Sequence, residues 1–251
     1  MIFSIITVVF NGENLIDGTI QSVVNQTYTD IEYLIIDGGS KDRTVEIIKK
    51  QAEKYSIRWI SERDNGLYDA MNKGLAMATG DFVLFLNAGD RLASRDTLAK
   101  IAACASPQTD ILYGETMLVN EQYRHIGTRS ELTVQKLPEN LTWRNMNKGM
   151  VVCHQAFLPR LELTPQYMPD NLAADIDWVI QCLQKSKKIV NTHTIISEYL
   201  MGGISKTRHQ QSMKDRYQIL KKHFGYVPNL FNHILILLRA VFFKIFNKNN
   251  Y

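Results

Sequence analysis

Four short apolar segments rich in β-branched residues alternate with helix-patterned segments along the first 86 residues. Each apolar segment has the length of a buried strand, and the segments between them carry apolar residues at helical spacing. Strands that alternate with helices of this length form βαβ units, so the sequence predicts an α/β fold with a mostly parallel central sheet. The predicted strands are 3–10, 31–37, 57–61 and 82–86, and the predicted helices are 13–25, 43–55 and 67–78.

The rest of the chain is less regular. Strand patterns occur at 110–115, 116–127 and 150–158, an amphipathic helix is predicted at 171–185, and an extended segment at 189–200. Two more helices are predicted near 207–224 and 230–246, separated by a break at Gly225 and Pro228.

Length and composition favour one α/β domain, or one domain with a small appendage, because the chain has 251 residues of which 45% are hydrophobic and 22% charged. No charge-free apolar run of twenty residues appears, so no transmembrane span is expected. The first residues predict a strand and not a signal peptide. The three cysteines are widely spaced, which favours a reducing cytosol.

Charge is distributed unevenly along the chain. From Lys206 to the end there are nine Lys or Arg residues and one acidic residue, Asp215, whereas the first 205 residues contain 20 basic and 24 acidic residues. A basic tail on an acidic body indicates an anionic partner, for which nucleic acid, a membrane surface or a diphosphate would each serve.

Polar clusters follow the four predicted strands. In an open parallel sheet, ligands bind beyond the carboxyl ends of the strands, and those ends carry Asn11, the DGGSKDRT turn that starts at Asp37, the SERDNG loop and the NAGD turn. The Asp37 carboxylate could accept hydrogen bonds from a base N–H or a ribose hydroxyl, and the glycines after it allow close backbone approach. The alternative is a tight turn in which Ser40 or Asp42 caps the next helix.

Two acidic segments are candidates for metal binding and for catalysis. In the NAGD turn, Asn87 and Asp90 follow an apolar strand and could hold Mg²⁺ or Mn²⁺, which prefer oxygen ligands, although an ordinary turn is the alternative. Asp175 and Asp177 start the helix at 171–185 and lie about 200° apart on it, so one can face substrate as a general base while the other meets the helix N-terminus. Helix-terminal acids without a catalytic role are the alternative.

The pair His154 and Gln155 follows the VVC segment at a predicted strand end and therefore lies at the expected edge of the cleft. The six histidines show no HxxxH or similar metal spacing, so no zinc site is predicted.

Taken together, these motifs resemble the family 2 glycosyltransferases, whose GT-A fold is a Rossmann-like sheet flanked by helices. The resemblance covers roughly residues 1–205 and rests on SIITVVFN, DGGSKDRT, SERDNGLYDAMNKGLAMATGDFVLFLNAGD and AADIDW. It is closest to the branch that acts in bacterial exopolysaccharide, O-antigen and colanic-acid assembly. It implies transfer of a hexose from a nucleotide-sugar, with UDP the expected nucleotide, and a saccharide acceptor, expected to be lipid-linked.

The resemblance also implies residue roles. It implies nucleotide contacts for Thr7, Asn11 and Asp37, and a donor site lined by Asp64, Asn65 and Asn72. It implies that Asp175 is the base of an inverting reaction and that Asp177, with His154 and Gln155, faces the acceptor. The usual Asp-x-Asp metal signature reads Asn87, Ala88, Gly89 here, followed by Asp90, so only the trailing acid remains.

The C-terminal segments complete the predicted architecture as a GT-A domain at 1–205 and a basic amphipathic tail at 206–251. In MGGISKTR (201–208), Lys206 and Arg208 follow a glycine pair and could close over the donor diphosphate, with a flexible linker as the alternative. The tail helix pairs a wide apolar face with a narrow basic stripe, which favours a cytoplasmic enzyme lying on the inner face of the cell membrane over a helix packed on protein.

Two other functional classes remain open from sequence alone. A sugar nucleotidyltransferase would carry a glycine-rich basic loop after its first strand, where this chain has Asn11-Gly12-Glu13-Asn14. A non-enzymatic basic adaptor would bind membrane or nucleic acid through 206–248, but the aromatic spacing there fits no nucleic-acid module.

Overall fold

A computed structural model describes residues 1–202 and 209–246, with His209 and 237–246 described as backbone only. The strands are β1 (Phe3–Val9), β2 (Ile31–Asp37), β3 (Ile57–Ser61), β4 (Phe82–Phe85), β5 (Arg91–Leu92), β6 (Ile111–Val119), β7 (His125–Thr128), β8 (Phe157–Pro159) and β9 (Ile189–Leu200). The α-helices are α1 (Ile16–Val24), α2 (Thr44–Ala52), α3 (Leu67–Met77), α4 (Thr97–Cys104), α5 (Arg129–Leu132), α6 (Ala174–Lys185), α7 (His209–Phe224) and α8 (Tyr226–Phe246). Short 3₁₀ turns occur at Trp143–Met146, His154–Ala156 and Leu161–Leu163.

The first sheet is parallel throughout and has the strand order β3-β2-β1-β4. This is the βαβ arrangement that the N-terminal pattern predicts. The order reverses between β1 and β4, so their carboxyl ends border a crevice of the kind that binds ligands in open α/β sheets.

A second, mixed sheet has the order β5-β9-β6-β7, with β8 also paired to β6. β6 and β9 run parallel, while β5, β7 and β8 pair antiparallel to their neighbours. The tiny strand β5 begins directly after Asp90, so this sheet places the end of β9 beside the crevice of the first sheet.

Alternating residues of the strands face two separate cores. Ile6 and Val8 of β1 pack in the cluster that includes α3 and α6, whereas Ile5 and Val9 pack in the cluster that includes α1 and α2. Strands apolar on both faces are what a sheet covered by helices on both sides requires. The first cluster matters for the site because it carries α3 and α6 to the edge of the crevice.

The predicted strand at 150–158 is wrong for most of its length, since only Phe157–Pro159 is a strand. The guanidinium of Arg129 donates hydrogen bonds to the carbonyls of Met150 and Val151, and the Ala156 N–H bonds to the Cys153 carbonyl. Backbone groups used in this way are not free for a strand ladder.

The C-terminal helices form as predicted, and the break between them is at Gly225, whose φ of +83° ends α7. Pro228 lies within the first turn of α8, where its missing N–H costs no helical hydrogen bond. Helix α7 packs on the body through Ile219, Leu220 and a stacked pair of rings, Trp143 and Phe224, whose centroids lie 5.4 Å apart. The predicted boundary between 205 and 206 lies outside the described residues.

Across the described residues, none of the helices combines the length and the hydropathy that crossing a bilayer requires.

Candidate active site

The loops that follow β1 and β2 are joined to each other at the carboxyl edge of the first sheet. The Asn11 N–H donates to the Ser40 hydroxyl at 2.7 Å, and the Asn11 side-chain oxygen accepts from the Lys41 N–H at 2.9 Å. Asn11 itself has a φ of +48°, a conformation that asparagine tolerates better than most residues. Asn11 therefore lies at the carboxyl edge of the sheet, as predicted, and its side-chain amide helps to shape that edge.

Asp37 is fully buried at the end of β2 and organises the loop after it. Its carboxylate accepts hydrogen bonds from the Gly39 N–H (3.1 Å), the Ser40 N–H (3.0 Å), the Ser40 hydroxyl and the Ser61 hydroxyl (2.6 Å). With both oxygens engaged, Asp37 presents its loop and not a free carboxylate to a ligand. A direct contact between the Asp37 side chain and the nucleotide stays a prediction.

The next loop lies close against the Asp37 loop. A side chain at Gly38 would overlap the Asp64 carboxylate, so the two loops approach as closely as they do only because residue 38 is glycine. Asp64 is half-buried and accepts from the Gly66 N–H at 3.0 Å, while Asn65 is exposed. Asp64 and Asn65 thus lie at the carboxyl edge, where the sequence places them.

Two predicted donor residues lie inside the protein. The Thr7 side chain is fully buried, and its hydroxyl lies 3.1 Å from the hydroxyl of Tyr33. Asn72 holds the backbone of Tyr167 with both ends of its amide, donating to the carbonyl at 2.9 Å and accepting from the N–H at 2.7 Å. The polar side-chain atoms of Thr7 and Asn72 form hydrogen bonds within the protein, and donor contacts from these side chains stay a prediction.

Asp90 links three segments and has no free oxygen. Its side chain accepts from the Gln155 amide at 2.9 Å and from the Leu200 N–H at 3.1 Å. Burial raises the pKa of Asp90 to about 7, against which these two hydrogen bonds act. Gln155 is itself 2% exposed, and its contact with an acceptor stays a prediction.

The candidate metal position offers less than a complete ligand set. Divalent cations of this kind take about six oxygen ligands, and no group of three or more His, Cys, Asp or Glu side chains converges to hold one among the residues that the structure describes. Asn87 does fit as a single ligand, because its side-chain oxygen is buried and has no hydrogen-bond partner among the described atoms. Asp90, predicted as a metal ligand, instead ties the Asn87 turn to Gln155 and β9.

Asp175 lies in the first turn of α6 and keeps one oxygen open. Its side chain is 27% exposed; Oδ1 accepts from the Ile176 N–H at 2.9 Å, and Oδ2 lies 4.0 Å from Nδ1 of His154. Burial raises the pKa of Asp175 to about 6. A carboxylate that is basic near neutral pH, with an unbonded oxygen at the edge of the crevice, can accept a proton from a bound hydroxyl.

His154 flanks this open oxygen. Its ring lies edge-on to Phe85 with the centroids 6.5 Å apart, and burial lowers the pKa of His154 to about 4, so the imidazole is neutral. The separation of 4.0 Å from Asp175 is too long for a direct hydrogen bond but leaves room for one oxygen atom between the two groups. The structure therefore brings His154 and Asp175 together.

Asp177 points away from Asp175, as the helical spacing predicts. Its carboxylate accepts from Nζ of Lys222 at 3.0 Å, Nε2 of His223 at 2.6 Å and Nε2 of Gln181 at 2.5 Å, and its side chain is 3% exposed. These donors lower the pKa of Asp177 although its burial raises it. The Asp177 side chain fastens α6 to α7, and its contact with an acceptor stays a prediction.

An aromatic stack behind Asp175 is the feature that sequence reasoning misses. The rings of Tyr68 and Trp178 both stack on that of Tyr167, with centroids 5.3 and 5.0 Å from its own. Trp178 follows Asp175 by three positions, a helical spacing that could have linked the two residues. Lys206 and Arg208, predicted to close over the donor, lie outside the described residues.

A family model described as glycosyl transferase family 2 matches residues 4–162. A PGL/p-HBAD biosynthesis glycosyltransferase of Mycobacterium tuberculosis is 34% identical over 215 residues, which cover 82% of this chain and 79% of that protein. A cholesterol galactosyltransferase of Borreliella burgdorferi is 39% identical over 92 residues, or 36% of this chain and 26% of that one.

Solved structures with the same fold include S. aureus TarS 1–349 in complex with UDP-GlcNAc, with a TM-score of 0.69, 20% identity and coverage of 87% of this chain and 64% of that chain. The mannosyltransferase PcManGT from Pyrobaculum calidifontis, in complex with GDP-Man and Mn²⁺, gives a TM-score of 0.70 at 17% identity and covers 93% of this chain and 69% of that one. The chain spans only 38% of a longer TarS chain.

Proposed function

Since the chain belongs to glycosyl transferase family 2 and has the GT-A fold, we propose that it is an inverting hexosyltransferase that moves a sugar from a nucleotide-sugar to a saccharide hydroxyl. The observation that carries this proposal is the Asp175 carboxylate, which has a raised pKa of about 6 and an unbonded Oδ2 at the crevice. The nucleotidyltransferase and adaptor alternatives gain no support from these observations.

The proposed reaction needs one base. Asp175 takes the proton of the acceptor hydroxyl as that oxygen forms a bond to the anomeric carbon, while the bond from that carbon to the donor diphosphate breaks and the nucleoside diphosphate leaves with the bonding electrons. Asp37, Asp90 and Asp177 have every oxygen engaged by protein donors. The open Oδ2 of Asp175 supports direct displacement, in which one base acts and the anomeric configuration inverts.

For the donor, we propose that the nucleotide lies over the loops after β1, β2 and β3. Asn11 shapes this edge, Asp64 and Asn65 are at its surface, and the buried Asp37 holds the loop in place. UDP is the nucleotide that we propose, by analogy with the UDP-GlcNAc of TarS. Lys206 and Arg208 are proposed to meet the diphosphate.

We also propose Mg²⁺ or Mn²⁺ as cofactor, on the precedent of the Mn²⁺ in the PcManGT complex. The buried, unpartnered oxygen of Asn87 would be the protein ligand, and the donor diphosphate would supply most of the others. When bound, the ion would offset the charge that develops on the leaving diphosphate.

The test is release of nucleoside diphosphate from UDP-, GDP- and dTDP-sugars by the purified full chain, with and without Mn²⁺. We expect one donor to be hydrolysed, faster with metal. Asp175→Asn should lose turnover while its donor affinity by calorimetry stays within about twofold, because the substitution removes the base and not the nucleotide contacts. The exposed Asp170, five residues earlier, provides a matched control, and Asp170→Asn should behave as wild type.

Undiminished turnover in Asp175→Asn would remove Asp175 as the base. Release of pyrophosphate from a nucleoside triphosphate would move the protein to the nucleotidyltransferases. Donor hydrolysis that is indifferent to metal would retain the transferase and remove the cofactor.

The acceptor is proposed to be lipid-linked, because α8 presents an apolar surface. The exposed fractions of six apolar side chains on α8 lie between 43% and 64%. They recur at positions i, i+1, i+4 and i+5 and therefore share one helix face. The face consists of Tyr226, Val227, Leu230, Phe231, Ile234 and Leu235.

We propose that this face lies on an anionic membrane, on the cytoplasmic side of the cell membrane, with 206–251 as the membrane-binding tail. The exposed Lys221 lies in the last turn of α7, just before α8, and would meet anionic headgroups. An apolar helix face beside basic residues is the pattern of an interfacial helix.

Sedimentation with vesicles containing an anionic phospholipid tests this surface. Phe231→Ser should weaken binding at least about tenfold, because burying a phenylalanine contributes about 1.5–3 kcal/mol and 1.4 kcal/mol is a factor of ten. Ile126→Ser, a change at a similarly exposed position on β7, should bind as wild type. If the two variants bind vesicles equally, this face does not bind the membrane. If the wild type dimerises and Phe231→Ser abolishes the dimer, the face binds a second copy of the chain instead.

A further inference from the structure

An open cavity of about 550 Å³ lies beside α1, where this helix meets β5. Two of the side chains that line it are the arginines Arg91 and Arg95, while Gln21 and Ser22 of α1 add polar groups to its wall. Among the described residues, no Asp or Glu side chain lines the cavity. Helix α1 packs in the core cluster on one face of the first sheet, and α6 packs in the cluster on the other face. The cavity is therefore separate from the proposed base.

The Arg91 guanidinium is held in position by two neighbouring elements. Its Cζ atom lies 3.3 Å from the centroid of the Tyr123 ring, a cation–π contact. On α1, a Cβ atom at Gly18 would lie 2.5 Å from a terminal nitrogen of Arg91, so the guanidinium reaches this position only because residue 18 is glycine.

Tyr123 is itself fixed at a backbone cost. Its φ of +56° is unusual for a bulky residue, and its hydroxyl donates to the Gly89 carbonyl at 2.9 Å. Strained residues of this kind persist where the surrounding structure requires them, and they cluster at ligand-binding positions. The Arg91 side chain is therefore positioned before any ligand binds.

Among the described residues, no carboxylate lies within ion-pair distance of Arg91. Glu198, its cross-strand neighbour on β9, pairs with His125 at 2.6 Å instead. The Arg91 side chain forms no hydrogen bond with any residue that the structure describes, and its Nε is buried without a partner. Arg95 donates from Nε to the Asn25 carbonyl at 3.3 Å and forms no ion pair within the same ranges. The residues outside those ranges contain neither Asp nor Glu.

Two arginines without an anion leave this cavity electrostatically incomplete. A partly buried cation is costly unless acceptors are supplied to it. A phosphate group supplies them well, because its oxygens accept two parallel hydrogen bonds from one guanidinium and its charge of about −1.5 to −2 matches two arginines. The cavity volume also falls in the range of small-molecule sites, which is about 300–1,000 Å³.

We propose that this cavity is a binding site for a phosphate group held by Arg91 and Arg95. The group is carried by a free phosphorylated compound or by a phospholipid, two sources that share this chemistry and that the experiment separates. The site does not depend on the proposed transfer reaction.

The first probe is inorganic phosphate, whose ³¹P NMR line broadens when it exchanges on and off the full-length protein. It is titrated with and without excess UDP, because UDP would occupy the proposed donor site and leave this cavity open. The variants are Arg91→Gln and Arg95→Gln. The matched control is Arg124→Gln, which removes the same charge from an exposed arginine that follows Tyr123 and does not line the cavity.

We expect the broadening by the wild type to persist when UDP is present. Phosphate affinity should fall at least about tenfold in Arg91→Gln and in Arg95→Gln, because each variant loses charge-assisted hydrogen bonds. Arg124→Gln should bind within about twofold of the wild type, since an isolated exposed charge contributes little. Equal weakening in all three variants, or loss of the broadening with UDP, would overturn the proposal.

Gly18→Ala tests the position of the guanidinium without changing any charge. The added methyl group displaces the flexible end of the Arg91 side chain, and alanine forms helix better than glycine, so α1 should still fold. We expect phosphate affinity to fall about tenfold while the urea midpoint stays at or above that of the wild type. Should Arg91→Gln fail to fold, Gly18→Ala and Arg95→Gln still decide the question, and wild-type affinity in either would refute the site.

Glucose 1-phosphate and vesicles that contain phosphatidic acid separate the two sources. Binding of inorganic phosphate or glucose 1-phosphate that is lost in Arg91→Gln assigns the site to a free phosphorylated compound. Sedimentation with the vesicles that is lost in Arg91→Gln but not in Arg124→Gln assigns it to a phospholipid. If none of the three probes binds in a way that depends on Arg91 and Arg95, the cavity is not a phosphate site.

Discussion

The two aspartates of α6 should separate stability from catalysis. Asp177 is almost fully buried and accepts three side-chain hydrogen bonds, two of them from Lys222 and His223 on α7. Asp175 is 27% exposed, and its carboxylate accepts one hydrogen bond, from the Ile176 N–H of its own helix. We therefore expect Asp177→Asn to destabilise the protein and Asp175→Asn to leave stability nearly unchanged.

The size of the effect follows from the charge that is removed. Breaking a buried charged pair costs about 3–5 kcal/mol, and the lower end applies here because Lys222 is 54% exposed and can turn to water. A loss of about 3 kcal/mol, with a urea slope of about 3 kcal/mol/M for a chain of this length, lowers the urea midpoint by about 1 M.

The assay is urea unfolding of the full-length wild type and both variants. Donor hydrolysis is then measured for the same three proteins in the absence of urea at about pH 7.5. Asp177→Asn should lower the urea midpoint and retain measurable turnover. Asp175→Asn should keep the wild-type midpoint and lose turnover. Equal midpoints would refute the assignment of Asp177 to the α6–α7 contact. A normal midpoint with no turnover in Asp177→Asn would return Asp177 to the substrate site.

The pH dependence of this difference has a defined sign. Hydrogen bonds from its neighbours hold the pKa of Asp177 below the ordinary value of 3.8. A carboxyl group with a lowered pKa contributes stability that is fully present above that ordinary value and is lost as the pH falls through the folded-state pKa. The stability difference between wild type and Asp177→Asn should therefore be constant at neutral pH and shrink below about pH 4.

Three further predictions concern the crevice. The rate of transfer should rise as the pH increases through about 6, because Asp175 must be deprotonated to act as base and burial has raised its pKa to that value; a pH–rate profile that is flat between pH 5 and 7 would contradict this. Gly38→Ala should weaken donor binding about tenfold, equivalent to 1.4 kcal/mol, because the added methyl group displaces the Asp64 carboxylate; calorimetry with the intact donor measures it, and unchanged affinity would place the nucleotide elsewhere. Asn72→Ala should lower stability by about 2–3 kcal/mol, because it leaves the N–H and carbonyl of Tyr167 without their partners; an unchanged urea midpoint would show that this clamp is not needed.

The sequence predicts the parallel sheet well because its signal is local. Each of the first four strands is a short run apolar on both faces, and burial by helices on both sides of the sheet is the ordinary reason for such runs. The segment 150–158 has the same apolar character but is mostly irregular, since Arg129, about twenty residues earlier, captures its carbonyls. A partner that distant in sequence leaves no local pattern.

The candidate site is predicted in position more reliably than in role. Strand ends correctly place Asn11, Asp64 and Asp90 around the crevice, and helical spacing correctly separates Asp175 from Asp177. Whether a polar side chain faces a ligand depends on whether its atoms are already engaged, and that depends on residues far away in sequence. The sequence predicts substrate contacts for four side chains whose polar atoms form hydrogen bonds within the protein. They are Thr7, Asn72, Gln155 and Asp177.

The stacked rings behind the base also give the protein an optical signal of its own. Trp178 is almost fully buried, and its ring plane lies within 7° of that of Tyr167. Aromatic side chains held in one fixed arrangement produce near-ultraviolet circular dichroism, which disappears when specific tertiary packing is lost even if helices remain. The integrity of the layer that supports Asp175 can therefore be followed spectroscopically, before any donor or acceptor is known.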